Sequence, residues 1–472
     1  MCEDNIKKLY ARPFCTPLGF EVLGADSCIV TDWRSDNRDV TQGDGFVAIR
    51  GARTDGHDFI PDAIKRGASI ILAEKRKRDL VANLAEQNPD VCFVLVDESI
   101  HDFATIAKCY LASVKPLLVA ITGSVGKTTT KELCLAVAHS QYNTYGTSGN
   151  RNTLIGNSLT IMSMTPNTEV LVLEFGTNHF GEIAEMCDYF TPDVAVLTEV
   201  AGAHLEEFKS CYGVLKEKAS ILNHKDKLKC VIYNKENEYL AEYFDKNFFT
   251  CPVYAVGKGG NCCVGDDVKL SISPQGTSCD YEINGQKVAL ESQLFGVQHT
   301  RNMALALSLG KFLEIDTEKI KNAIAEMPVL KGRGVIHTLK NNCFLIDEAY
   351  NSNPSSCGAA IDNLLLSSRS NESKFKTCAI LGGMRELGSE TQTLHQFIID
   401  KLTSLDLVYL LGAEWQGCDT SKLKCVRLFA SLEDLEEEVK KVQENLTDTI
   451  LLVKGSNSYG LASIVNMIKE RG

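Results

Sequence analysis

The sequence predicts an α/β protein of three domains, and three observations carry that expectation. Short apolar runs recur between helical stretches from residue 99 onward. One of them, Leu117-Leu118-Val119-Ala120-Ile121, leads into a glycine-rich turn and a helix start, Gly123-Ser124-Val125-Gly126-Lys127-Thr128-Thr129-Thr130. At 472 residues the chain also exceeds what one hydrophobic core supports. Strands separated by helices imply parallel sheets covered on both faces.

Three blocks follow in order. Residues 1–98 read as a small N-terminal α/β domain of short strands and turns, with a helix near 62–66 and a strand near 68–73. Residues 99–328 form the central P-loop domain, with strands expected at 117–121, 170–175, 194–198 and 230–233. There the alternation of Val268, Leu270 and Ile272 predicts an antiparallel insert. Residues 329–472 read as a C-terminal Rossmann-like domain with strands at 343–347, 376–381, 407–411 and 449–453.

Composition narrows the function. A net charge of −12 argues against a nucleic-acid binder. The one basic cluster, Lys75-Arg76-Lys77-Arg78, reads as a solvated helix face. No apolar run approaches the roughly 20 residues of a membrane span. Met1-Cys2-Glu3-Asp4 has no basic region followed by an apolar one, so no secretory signal is expected. The 18 cysteines contain no Cys-x-x-Cys pair, and Cys92, Cys230, Cys343 and Cys378 sit in apolar runs as small hydrophobes. So many free thiols suit the cytoplasm.

The turn at 123–130 carries the chemistry. Its glycines let backbone N–H groups point inward, and the helix N-terminus adds partial positive charge, which together cradle phosphate. Lys127 then reaches terminal phosphates and Thr128 offers a hydroxyl to Mg²⁺. In parallel sheets ligands collect at the carboxyl ends of strands. There the sequence places Glu174, His204, Asp347, Gly382-Gly383 and Lys454-Gly455. A lone strand-end acid is usually a helix cap, but several facing a phosphate loop point to a metal–nucleotide site. Lys218 falls on the apolar stripe of a helix over 212–222, with Val214, Leu215, Ile221 and Leu222, while Lys216 and Glu217 are expected to face outward. A buried ammonium needs a carboxylate partner, a lowered pKa or chemical modification. On spacing alone, a lysine whose stem packs while its tip reaches water is the simpler account. Asn234-Lys235-Glu236-Asn237 imitates a guanine-reading motif but lacks the final carboxylate, so it is discounted.

The run Ile121 to Glu132 resembles the P-loop of the Mur ligases, ATP-dependent amide-forming enzymes of peptidoglycan precursor synthesis. Three further stretches are similar to the member that joins D-alanyl-D-alanine to UDP-N-acetylmuramoyl-tripeptide (UDP-MurNAc-tripeptide). They are Glu174 to Ile183, Asp347-Glu348-Ala349-Tyr350-Asn351-Ser352-Asn353-Pro354, and Met384-Arg385-Glu386-Leu387-Gly388. Asp36-Asn37-Arg38, Asp55-Gly56-His57-Asp58-Phe59 and Val453-Lys454-Gly455-Ser456 add to the likeness, which runs the length of the chain.

That resemblance implies ATP, two Mg²⁺ ions and an acyl-phosphate intermediate. Lys127, Lys218, His204 and Arg333 would be catalytic. Gly123, Ser124, Val125, Gly126, Lys127, Thr128, Thr129, His299, Asn302, Arg333 and Asp347 would hold the nucleotide. Thr128, Glu174, His204 and Lys218, the last carbamylated, would serve the metal ions. Asp36, Arg38, Asn150, Asn178, His179, Tyr350, Asn351 and Asn353 would meet the UDP-MurNAc-tripeptide or D-Ala-D-Ala. The first domain would take the UDP end, the third would close over ATP, and a cytoplasmic monomer is expected. The chain departs from the family pattern at Asn37, Arg151, Thr153, Gln298, His299 and Gly383. Another Mur-like ligase, such as MurE or a folylpolyglutamate synthase, and a catalytically silent ATP-binding scaffold stay open as alternatives. The sequence also leaves diaminopimelate and lysine both open as the third residue of the tripeptide.

Overall fold

The computed structural model describes residues 7–9, 15–26, 28–202, 204–369, 375–443 and 446–471. Met1 to Asp4 lie outside the described residues. Three larger sheets organise the chain among those residues, each mostly parallel.

The first sheet has the order Glu21–Gly24, Cys92–Val96, Ile70–Glu74, Gly45–Val47 and Trp33–Arg34, with only the Glu21–Gly24 edge antiparallel. Ile70–Glu74 and Cys92–Val96 are buried at every position, as a strand covered on both faces must be. The Lys75–Arg78 cluster departs from the expected helix face. Lys75–Lys77 form a 3₁₀ turn, and Arg78 starts the helix Arg78–Gln87. Each cation there faces an acid: Lys75 pairs with Asp97, Arg76 with Asp55 and Glu74, Lys77 with Asp58, and Arg78 with Glu21.

The central sheet is parallel from Thr144–Gly146 through Val170–Glu174, Leu117–Thr122, Val194–Leu197, Cys230–Asn234 and Val253–Val256. It continues through Cys262–Val264 into the antiparallel strands Lys269–Ile272, Gln275–Ile283 and Gln286–Ser292. The burial of Gln275–Ile283 alternates, the pattern of a sheet covered on one face. Leu117–Thr122 lies between Val170–Glu174 and Val194–Leu197, so the chain reverses its direction of travel across the sheet beside this strand. Such a switch point opens a crevice at the carboxyl ends.

The third sheet has the order Val335–Leu339, Cys343–Glu348, Thr449–Lys454, Lys376–Gly382, Leu407–Leu411 and Val426–Phe429, with only the first edge antiparallel.

The cores are not partitioned as the three sheets are. One buried cluster runs from Cys15 and Trp33 through Phe103 and Tyr110 to Phe175 and Val231, joining the first and central sheets. The helix Ser99–Val114 makes that join. Its Phe103 ring lies 4.9 Å from Trp33, and Tyr110 donates to the Met164 carbonyl at 3.0 Å. The third sheet has separate apolar clusters on its two faces. No helix among the described residues is long and apolar enough to cross a membrane.

Phe103 is fully buried at the seam. Replacing it with alanine should destabilise the protein by about 3–5 kcal/mol, measured by urea unfolding followed through tryptophan fluorescence.

Candidate active site

The carboxyl end of Leu117–Thr122 delivers the turn at 123–126, whose backbone accepts little but glycine at its ends. Gly123 has φ +151°, and a Cβ there would lie 2.0 Å from Thr198 Oγ1. Gly126 has φ +83°, and its Cβ would lie 2.9 Å from Asn302 Oδ1. The helix Lys127–His139 follows, its first N–H groups facing the turn. Lys127 curls back, donating from Nζ to the Gly123 and Ser124 carbonyls at 2.7 and 3.3 Å. Burial lowers the pKa of its ammonium; Glu174 opposes the shift and Arg333 adds to it.

Glu174 ends the neighbouring strand, in register with Ile121. Its carboxylate is buried and accepts from Thr128 Oγ1 at 2.9 Å and from Asn152 Nδ2 at 3.0 Å. Its backbone is clamped as well: Thr147 Oγ1 accepts from the Glu174 amide at 3.1 Å, and Asn157 Nδ2 donates to its carbonyl at 3.0 Å. Arg333 reaches across from the third sheet's side and donates to the same Thr128 hydroxyl at 3.1 Å. Its guanidinium stacks 4.2 Å from the Tyr350 ring centre. One cavity of about 360 Å³ results. It is lined by Ser124 to Thr129, Asn150, Glu174, Asn178, His204, His299, Asn302, Arg333, Tyr350, Asn351 and Asn353.

Lys218 lies behind this cavity, buried in the helix Cys211–Ala219. Burial and the Lys127 charge hold its pKa well below the usual lysine value, with Glu217, Glu174 and Glu182 opposing. Glu217 corrects the expectation that it faces water, since it is buried. Its carboxylate accepts from the backbone N–H groups of Gly181 at 2.7 Å and Ile183 at 2.9 Å, and from Thr177 Oγ1 at 3.3 Å. Those amides open the helix Glu182–Tyr189, so the acid caps a neighbouring helix; helical periodicity gave no sign of this.

Other expected site residues lie off the cavity wall. Gly123 shapes the turn from behind. Asp347 turns away because neighbouring side chains on a strand take opposite faces, and it accepts from the Ala349 amide at 3.1 Å. Its neighbour Glu348 lines the cavity instead, 3.2 Å from the buried Lys454 Nζ. His179 is 68% exposed and lies 3.5 Å from Glu207. Asp36 and Arg38 pair with each other at the 3₁₀ turn Asn37–Asp39. Arg38 holds the Asp36 carboxyl down to about 2.

The departures have local explanations. Thr153 caps the helix Leu154–Ser163, and Gln298 Oε1 accepts from Asn363 Nδ2 at 2.8 Å. His299 is buried, with Nδ1 3.3 Å from Asn302 Nδ2. Burial and the nearby Arg333 push its pKa down to about 4. At Gly383 an added Cβ would lie 2.5 Å from Glu414 Oε2, so a carboxylate from another strand's end already fills that space.

The chain matches the family model "Mur ligase middle domain" over residues 121–310 and "Mur ligase family, catalytic domain" over residues 34–97. It is 30% identical to the UDP-N-acetylmuramoyl-tripeptide–D-alanyl-D-alanine ligase of Bacillus subtilis, over 92% of each chain. The chain belongs to the Mur ligase family. The equivalent ligase of Rickettsia prowazekii is 28% identical, over 95% of this chain and 97% of its own. Among solved structures, the MurF ligase of Thermotoga maritima in complex with ADP superposes with a TM-score of 0.78 at 26% identity. That match covers 93% of this Mur ligase and 97% of that chain. MurF of Acinetobacter baumannii, at 21% identity and a TM-score of 0.83 over 99% and 100% of the two chains, shares the fold.

Two outcomes follow from the site's buried polar groups. Glu217→Ala leaves two amides without their acceptor and should cost about 1–3 kcal/mol, with Glu217→Gln milder, as read by urea denaturation. His299 is held neutral in the folded state, so its contribution is complete above pH about 6.5. Between there and about 4 the unfolded chain binds the extra proton, and stability falls as pH falls. Replacing His299 with glutamine should flatten thermal stability over that window in a pH-resolved melting series.

Proposed function

We propose that this Mur ligase joins D-alanyl-D-alanine to UDP-MurNAc-tripeptide at the expense of ATP, through an acyl phosphate. The observation that carries this reading is the Thr128 hydroxyl. It is shared by the Glu174 carboxylate and the Arg333 guanidinium, so one phosphate cavity is built from two sheets.

A carboxylate resists attack by an amine until one of its oxygens becomes a good leaving group. In this reading the tripeptide's terminal carboxylate attacks the γ-phosphorus of ATP, ADP departs, and the dipeptide amine then attacks the acyl carbon and expels phosphate. The loop amides and Lys127 hold the phosphates, with Lys127 leaving its carbonyl partners to do so. Arg333 offers a planar fork to the oxygens that gain charge. Asn178, Tyr350, Asn351 and Asn353 face the same cavity, placed to orient the acceptor and the dipeptide.

The hard oxygens of Thr128 and buried Glu174 fit Mg²⁺. When bound, Mg²⁺ neutralises crowded phosphate oxygens. Burial and the Lys127 charge disfavour the ammonium form of Lys218, and in this reading its amine takes up CO₂ as a carbamate, which places an anion at the buried position. Asp36 and Arg38, remote from the phosphates, belong in this reading to the UDP end of the substrate. A monomer working in the cytoplasm is part of the same proposal.

Phosphate release is expected only when ATP, UDP-MurNAc-tripeptide and D-Ala-D-Ala are all present. Release that ignores the dipeptide, or accepts a single amino acid equally well, overturns the assignment. Lys218→Ala is expected to abolish turnover, and bicarbonate should not restore it; near-normal turnover would refute the carbamate. Lys127→Met should lower kcat/KM by about 10²-fold or more in the same assay.

A further inference from the structure

His204 and Glu386 come from different sheets and meet at the rim of the phosphate cavity. His204 starts the helix Leu205–Phe208 and lines the cavity. Glu386 lies in the loop after Lys376–Gly382. Both hold positive φ, +52° and +66°, which for residues other than glycine requires contacts that keep them there. The contacts are present. His204 Nδ1 pairs with the Glu386 carboxylate, and the Glu206 amide donates to the Glu386 carbonyl at 3.4 Å. Behind them Gly388 sits against Glu206, where a Cβ would come within 3.2 Å of its Cγ.

A carboxylate accepts hydrogen bonds and gives none, so the ring nitrogen facing it carries the proton. A neutral imidazole then keeps its lone pair on the other nitrogen, Nε2. No hydrogen bond to Nε2 is made among the described residues, and the ring lies on the wall that also holds Glu174 and Thr128. This is the partner arrangement that orients a cation-binding histidine.

We propose that Glu386 is a positioning residue that fixes the Nδ1–H tautomer and the orientation of His204. Nε2 is thereby prepared for a divalent cation only while the loop at 384–388 is docked on the central sheet. The cation's role in amide formation rests on the function proposed above, but the tautomer and cation affinity do not. Docking of the third sheet and completion of the cation site thus become one event, with no separate signal between them.

The test uses the full chain. In ¹⁵N-histidine NMR without nucleotide, His204 should show Nδ1 protonated in the wild type. Glu386→Gln should keep that tautomer, because the amide Oε1 accepts the same proton; Glu386→Ala should lose it. Mn²⁺ binding in the presence of ADP, read by electron paramagnetic resonance, should weaken about 10–100-fold in Glu386→Ala and less in Glu386→Gln. In turnover, kcat should fall in Glu386→Ala with little change in KM for the tripeptide substrate. Wild-type tautomer and wild-type Mn²⁺ affinity in Glu386→Ala would overturn the proposal. The first two readouts need no amide formation. A chain that bound Mn²⁺ as expected but ignored D-Ala-D-Ala would therefore count against the ligase reading alone.

Discussion

The hydrogen bond between the Thr128 hydroxyl and the Glu174 carboxylate is the point on which the site is organised. It is possible because Glu174 and Ile121 are paired across adjacent parallel strands, so acid and phosphate turn emerge side by side. Everything nearby maintains that pairing. Asn152 takes the second carboxylate oxygen, Thr147 and Asn157 hold the strand end, and Arg333 closes on the hydroxyl from the opposite side. A buried acid with both oxygens engaged keeps its position in a way that an exposed one does not.

Much of this was legible in the chain. The parallel strands announced themselves as apolar runs because both of their faces are covered, and the glycines of 123–126 did so because no other residue fits that turn. Lys218 was placed correctly on its helix by periodicity. The strands Thr144–Gly146, Val335–Leu339 and Val426–Phe429 were not legible, since each lies at a sheet edge, is buried at none of its positions and so need not read as an apolar run. Glu217 and Asp347 were misplaced for a shared reason. Spacing describes one element at a time, whereas the partner of Glu217 is another helix's open amides. For Asp347 and Glu348, neighbours on one strand, only the sheet's packing decides which faces the cavity.

The departures from the family pattern follow the same logic. The acid missing at Gly383 is met by Glu414, which occupies the space a side chain there would need and pairs with Arg385 at 3.0 Å. Gln298 is held by Asn363, from the helix Pro354–Arg369, which couples the wall beside His299 to the third sheet. The change at Gly383 is absorbed within the third sheet's own unit, and that at Gln298 by a contact between units.

The continuous apolar seam through Trp33, Phe103 and Tyr110 has a mechanical consequence. Parting the first two sheets would wet aromatic rings, at about 25 cal/mol for every Å² exposed. The third sheet meets the central one near the cavity through polar links such as Arg333–Thr128, Ser355–Glu199 and Asn363–Gln298. Water substitutes for such links at a net loss of only about 0.5–1.5 kcal/mol apiece. The chain thus has a rigid anvil of two fused sheets and a third member held to it in two ways, by water-replaceable polar links at the cavity and by Ile272 and Phe295 packed into its core.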